Sequence, residues 1–306
     1  MEENASLAGY TRFALGGPAR FKVDARVDES FLEALAVARS SGLPCVVLGG
    51  GSNLLVSDTG YPGIVLRYGG GRLGMRVGDI TVEAGAELQA LVDFSIERGR
   101  SGLHTMTRIP GWVGAAIYGN AGAYGHSIME SVYRVRFHDG ADVRWFSNSD
   151  CQFAYRESIF KKNKQWVILA AEMRMPEADP VEMRRQADEI RATRDAKYPP
   201  AMKCAGSIFK NCLFAELPLA AAEAVPAKVV REGKVPSAWF LEQVDAKGLR
   251  RGDIQVAAYH ANLIYNDGPG ATAADVRAVI AELKQRVLNR FGFCLEEEVQ
   301  YIGFDE

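Results

Sequence analysis

Two stretches of small residues constrain the fold of this chain more than any other feature of its sequence. The first is Leu48-Gly49-Gly50-Gly51-Ser52-Asn53-Leu54, directly after the apolar run Cys45-Val46-Val47. The second is Arg108-Ile109-Pro110-Gly111-Trp112-Val113-Gly114-Ala115-Ala116-Ile117-Tyr118-Gly119-Asn120-Ala121-Gly122-Ala123-Tyr124-Gly125. Glycine has no Cβ, so backbone or ligand can approach it closely and it reaches angles closed to other residues. Adjacent peptide N–H groups in such a turn form a nest suited to phosphate, although Gly-Gly-Gly-Ser alone is also an ordinary turn. The second stretch lacks the Ser, Asp and Lys of a solvated loop. Together the two point to one large phosphate-bearing cofactor cradled by both. Neither is a Rossmann fingerprint or a Walker loop, because the residues after Asn53 are apolar and strand-like and no Gly-Lys-Ser/Thr follows.

The remaining pattern mixes helix and strand. Phe31, Leu32, Leu35 and Ala38 recur at helical spacing, opened by Asp28 and a Ser30-x-x-Glu33 capping box and closed at Gly42. Short strands are expected at 44–48, 54–56 and 64–66. A second β/α unit has a strand near Ile80 to Ala84 and a helix carrying Leu88, Leu91, Val92 and Ile96. Strands return from Val132 to Phe137 and from Trp166 to Ala170. Pro180 to Tyr198 is a charged helix that must stop at Pro199-Pro200, where the main domain boundary is expected. The last third has an amphipathic helix capped by Thr272 and Asp275, with Val276, Val279, Ile280, Leu283, Val287 and Phe291 on one side and Gly292 at its end.

Charge and composition remove several function classes. Lys+Arg minus Asp+Glu is 36 − 38 = −2, which supplies no cation excess for general nucleic-acid or membrane-surface binding. The cysteines, Cys45, Cys151, Cys204, Cys212 and Cys294, are odd in number and unpaired by spacing, as in a reducing compartment. The four histidines are dispersed, so no protein-built metal site is expected. No signal peptide is read in Met1 to Tyr10, and no run approaches the ~18 apolar residues of a membrane span, so the expected location is cytoplasmic.

Three polar segments stand out. Tyr155-Arg156-Glu157-Ser158 offers an arginine able to grip a carboxylate bidentately. Ala205-Gly206-Ser207-Ile208-Phe209-Lys210-Asn211 has a serine without the Gly-x-Ser-x-Gly elbow of a hydrolase. Glu296-Glu297-Glu298 is a charge run between apolar residues. Read singly, each is also a surface arginine, a turn serine or a solvated acidic run.

In order and spacing these segments resemble the UDP-N-acetylenolpyruvoylglucosamine reductase family. The resemblance runs from Thr11-x-Phe13-x-x-Gly16-Gly17-Pro18-Ala19 to Val299-x-x-Ile302-Gly303. It takes in the glycine turn, Ile109-Pro110-Gly111, Asn120 to Gly125, Tyr155-Arg156-x-Ser158, Ala205 to Asn211 and His260-Ala261-Asn262. The interval from Arg156 to Ser207 lacks a tyrosine-bearing loop, which is similar to the shorter subtype. The family pattern differs at Arg108, Trp112, Cys212 and Glu297.

The resemblance implies an α+β fold: a two-lobed FAD-binding module of the vanillyl-alcohol-oxidase/PCMH type, as lobes 1–70 and 71–198, and a C-terminal α+β substrate domain, 199–306. It implies noncovalent FAD held by Gly49, Gly50, Gly51, Ser52, Asn53, Leu54, Ile109, Pro110, Gly111, Gly114, Asn120, Gly122, Ala123 and Tyr124, and NADPH as co-substrate. The implied substrate is a UDP-sugar enolpyruvyl ether, met by Tyr155, Lys210, Asn211 and His260. Arg156, Ser207 and Glu298 are implied as catalytic, with Arg156 on the substrate carboxylate, Glu298 kept protonated by burial and Ser207 giving a proton to C2. A monomer or weak oligomer is expected.

Overall fold

The alternating apolar residues of the first seventy positions are satisfied by a four-stranded sheet and one helix. The strands are β1 (Glu2–Ser6), β2 (Pro18–Ala25), β3 (Cys45–Leu48) and, after the short β4 (Leu54–Val56), β5 (Tyr61–Tyr68). Their order is β1-β2-β5-β3, and β3 runs parallel to β5 with Leu48 opposite Arg67. Helix α1 (Asp28–Ser40) buries Phe31, Leu35 and Ala38, as its spacing predicts. The Ser30-x-x-Glu33 capping box does not form. The helix begins at Asp28, behind Val27, and the Asp28 carboxylate accepts from the Tyr68 hydroxyl at 2.5 Å and from Arg136.

The computed structural model describes residues 1–304 and divides the chain into two compact units. Unit 1 comprises Met1–Asn4, Arg20–Gly50 and Pro62–Pro200. Its second sheet has the order Val143–Ser147, Val132–His138, Val167–Met173, β7 (Asp79–Glu83) and β6 (Leu73–Arg76), with every adjacent pair antiparallel. Helix α2 (Leu88–Glu97) buries Leu88, Leu91, Val92 and Ile96. Phe137, Phe160 and Trp166 pack as an aromatic cluster, with Phe137 and Phe160 edge-to-face at 5.1 Å.

Unit 2 comprises Ala5–Ala19, Gly51–Tyr61 and Ala201–Glu306. Two short pieces of the N-terminal third are therefore part of the body formed by the last third. β4 pairs in parallel with Gln300–Ile302, and the Asn266 amide donates to the Phe13 carbonyl at 3.0 Å. The main sheet runs Lys203–Ser207, Leu263–Asn266, Ile254–Val256, Arg250–Arg251. Across it lies the helix Ala273–Phe291, whose Val276, Val279, Ile280, Leu283 and Val287 join Phe240, Ile254 and Ile264 in the core. Thr272 caps this helix by accepting from the Asp275 N–H, the Asp58 carboxylate accepts from the N–H groups of Ala273 and Ala274, and Gly292 ends it at φ 75°. Among the described residues no helix is long and apolar enough to cross a membrane.

Candidate active site

In unit 1 the two glycine-rich stretches meet. A Cβ on Gly50 would lie 3.1 Å from the Gly111 Cα and 3.1 Å from the Trp112 Cδ1, and one on Gly49 would lie 3.1 Å from the Ala115 Cβ. Backbone hydrogen bonds hold the second stretch to the residues just after β7: the Val113 N–H donates to the Ala86 carbonyl at 2.9 Å and the Gly114 N–H to the Ala84 carbonyl at 2.8 Å. A Cβ at position 50 would need its neighbours to give by a few tenths of an ångström. The turn thus approaches the loop closely, Gly50 against the Gly111 backbone and the Trp112 ring and Gly49 against the Ala115 methyl, and the peptide N–H groups of such a glycine turn suit a phosphate.

Side chains brace this cradle from behind. Asn120 is buried; its amide donates to the Ala154 carbonyl at 2.8 Å and accepts from the Met129 N–H at 3.3 Å. Gly122 and Ala123 pair with Ser127 and His126. Tyr124 is half exposed and lines an open surface depression with His104, Thr105, Gln186, Glu189 and Ile190. Ile109 is half-buried and Pro110 exposed. Arg108, at φ 65°, donates its N–H to Gln89 and its guanidinium to Asp195 at 2.7 Å. Trp112 carries the Arg67 guanidinium 4.7 Å from its ring centroid.

Arg156 occupies a tight turn in which Ala154 and Glu157 exchange both peptide hydrogen bonds, at 3.0 and 3.1 Å. Its φ is 58°, a left-handed conformation that costs a side-chain-bearing residue about 1–3 kcal/mol. The guanidinium donates to the Gly122 carbonyl at 3.0 Å, and Tyr155 stacks beside it at 5.2 Å. Ser158 donates to the Tyr118 carbonyl at 2.7 Å and caps the short helix that follows. The predicted clamp residue is therefore fastened to the predicted cofactor loop. Burial, with the Glu157 charge second, pushes the Tyr118 hydroxyl up.

In unit 2 a different set of residues converges. The segment after Ser207 runs antiparallel to residues 296–298: Phe209 stands opposite Glu297, Glu298 donates its N–H to the Ile208 carbonyl at 2.7 Å, and Lys210 donates its N–H to the Glu296 carbonyl at 2.9 Å. Lys210 is buried and its ammonium donates to the Glu296 carboxylate at 2.5 Å. The Glu298 carbonyl accepts from the Asn53 amide at 2.9 Å, which ties the glycine turn's last polar residue to the acidic run. Gly51 fits only as glycine, at φ 67° with its Cβ position 1.7 Å from the Tyr10 carbonyl oxygen. Ser52, Leu54, Ser207, His260 and Glu298 are half-buried and Asn211 is exposed. Burial pushes the neighbouring Cys212 thiol up to about 12.

Unit 1 thus carries Gly49, Gly50, the 109–124 loop, Tyr155 and Arg156, and unit 2 carries Gly51 to Leu54, Ser207, Lys210, Asn211, His260 and Glu298. In unit 1 the fit to a flavin dinucleotide rests on the cradle at Gly49 and Gly50. In unit 2, taken by itself, the Asn53 Oδ1 is a buried acceptor with no hydrogen-bond partner among the described residues. Sequence reasoning missed Glu296, which pairs with Lys210, and the work done by the Asn262 side chain, which holds the Phe209 backbone on both sides. No local pattern marks Glu296, and the motif His260-Ala261-Asn262 marks Asn262 without its role. Among the described residues no group of three or more His, Cys, Asp or Glu side chains is placed to hold a metal ion.

Residues 21–142 match an FAD binding domain family, and residues 198–302 match the family described as UDP-N-acetylenolpyruvoylglucosamine reductase, C-terminal domain. The UDP-N-acetylenolpyruvoylglucosamine reductase of Solibacter usitatus is 57% identical over 297 residues, covering 97% of this chain and 95% of that one. That of Anoxybacillus flavithermus is 32% identical, covering 99% and 94%. The crystal structure of the Thermus caldophilus enzyme superposes with a TM-score of 0.75 at 29% identity, covering 98% of each chain.

Proposed function

We propose residue roles for this chain from one premise: it belongs to the UDP-N-acetylenolpyruvoylglucosamine reductase family. It is an FAD-dependent oxidoreductase of peptidoglycan precursor synthesis, reducing the enolpyruvyl double bond of UDP-N-acetylglucosamine enolpyruvate with NADPH to give UDP-N-acetylmuramate. FAD, when bound, supplies the hydride relay between NADPH and substrate. Gly49 to Leu54 and the loop residues Ile109, Pro110, Gly111, Gly114, Asn120, Gly122, Ala123 and Tyr124 would hold it.

Addition of hydride to C3 leaves charge on C2 and the adjoining carboxylate. Arg156 would pair with that carboxylate, and a fixed cation where charge develops lowers the barrier without reorganising solvent. Ser207 would give a proton to C2, which completes the addition of one hydride and one proton across the double bond. A hydroxyl is a weak acid, so this step needs a strongly basic acceptor and little water. Glu298, in its protonated form, would support the developing enolate. Lys210 would bring positive charge to the substrate's phosphates, with Tyr155, Asn211 and His260 as further substrate contacts.

The observation that carries these roles is the pairing of Phe209 with Glu297, which sets the strand after Ser207 beside Glu298. The test is optical. The purified protein should be yellow, bleach with NADPH under nitrogen and regain colour on addition of the enolpyruvyl substrate; bleaching without recovery would refute the assignment. We also propose a division into lobes 1–70, 71–198 and 199–306, a cytoplasmic location, no nucleic-acid partner and a monomer or weak oligomer, the last checked by light scattering.

A further inference from the structure

We infer that Asn262 is a positioning residue for the reaction: its side-chain amide extends the unit 2 sheet by one step and so fixes the segment that carries Ser207 and Lys210. The inference rests on the role proposed for Ser207. Strand Lys203–Ser207 pairs with Leu263–Asn266, but two residues lie between Cys204 and Ser207 where one lies between their partners Tyr265 and Leu263. This is a bulge, with Gly206 in it at φ 76°. Past Ser207 the backbone ladder gives one more bond, Ile208 N–H to the Asn262 carbonyl at 3.1 Å.

The next peptide groups are met by a side chain. Phe209 faces Glu297 at a position where the flanking residues make the inter-strand bonds, so its own N–H and C=O point away from that strand. Both end on the Asn262 amide: the Phe209 N–H donates to Oδ1 at 2.9 Å, and Nδ2 donates to the Phe209 carbonyl at 2.9 Å. The second hydrogen on Nδ2 goes to the Ser237 hydroxyl at 2.7 Å, which itself donates to the Phe209 carbonyl at 3.3 Å. Asn262 is 3% exposed, Phe209 1% and Ser237 0%, so water has no access to replace these bonds. Every polar atom of the amide is used. Removing it would free the Phe209 backbone two residues from Ser207 and one from Lys210.

The test uses the flavin-loaded full chain and follows each half-reaction by anaerobic stopped-flow. Asn262→Ala should leave flavin reduction by NADPH within about threefold and slow reoxidation by the enolpyruvyl substrate ~10²-fold, the usual cost of a small misplacement of reacting groups. In a Ser207→Ala background the same change should add less than about threefold, because it acts through a group already removed. Asn262→Asp keeps the acceptor for the Phe209 N–H but sets a buried carboxylate oxygen against the Phe209 carbonyl, so its effect on reoxidation should be at least as large as that of Asn262→Ala. Equal slowing of both half-reactions at full flavin loading, or an undiminished penalty in the Ser207→Ala background, would overturn the inference. Should Asn262→Ala fail to fold, Ser237→Ala serves in its place, with a smaller loss confined to reoxidation; normal reoxidation there would count against the proposal. Ser207→Ala that leaves reoxidation intact refutes the proton assignment alone, and Asn262 then stands or falls on the split between half-reactions.

Discussion

Unit 1 presents its site residues on backbone that added atoms would disturb, while unit 2 presents its own on strands that side chains tie down. In unit 1, Gly49 and Gly50 lie against Gly111, Trp112 and Ala115, and Arg108, Asn120, Tyr124 and Arg156 all hold left-handed angles. In unit 2, Asn262, Asn53 and Lys210 each join segments far apart in the chain. The first design would bind through peptide groups and leaves little room for bulk. The second would fix individual side chains proposed to react and depends on their polar anchors. A cofactor that remains bound through both half-reactions suits the first, and a substrate that must be oriented at one carbon suits the second.

This contrast can be broken by experiment. The largest effect is expected in unit 2: Ser207→Ala should keep flavin reduction by NADPH and slow reoxidation by substrate ~10²–10⁴-fold, the range for loss of a general acid. Stopped-flow traces showing equal loss of both phases would remove its role as proton donor. Arg156→Met should slow reoxidation ~10²–10³-fold, as for other charge-stabilising groups, and Arg156→Lys should recover little of it because lysine lacks the planar fork. Arg156 is the exception that sharpens the comparison, a reactive side chain on the strained backbone of unit 1. If Arg156→Met left reoxidation untouched, unit 1 would contribute a cradle alone.

Gly50→Ala should leave the chain folded and weaken flavin retention about tenfold, the lower range of overpacking costs. The readout is flavin absorbance per chain after gel filtration, and wild-type loading would mean that the loop yields more easily than its contacts indicate. The smallest effect belongs to the surface helix Pro180–Lys197. Hydrogen bonds from Arg185 and then Gln186 hold the Glu182 carboxyl down at about 2, so its contribution is complete above pH ~4.5 and is lost as pH falls toward 2. Thermal melts should show Glu182→Gln nearly unchanged in midpoint at pH 7, with any gap from wild type closing on acidification; a gap that widens would contradict the sign.

Much of unit 1 was legible in the sequence because its determinants are local. Glycine spacing locates the cradle, helical periodicity locates α1 and α2, and Pro199-Pro200 ends the helix Pro180–Lys197; in unit 2 the same periodicity locates the helix Ala273–Phe291. The helix opens at Asp28 as its spacing predicts, but the capping box at Ser30 does not form, and the Asp28 carboxylate is instead engaged by the distant Tyr68 and Arg136. The same limit applied to unit 2. No window of sequence says that Gly51–Tyr61 leaves its neighbours to pair with Gln300–Ile302, or that Phe209 faces Glu297.

The sequence by itself therefore determined the elements, the glycine cradle and, through the order of its motifs, the family and the three residues expected to react. Only the tertiary structure decided that Arg156 is fastened to Gly122, that Lys210 pairs with Glu296, and that Asn262 replaces a missing strand. Turns and helices follow from angles and spacings within a few residues. A buried N–H or C=O, by contrast, takes whichever partner the folded chain brings within 3 Å or so, and that choice is written in no local pattern.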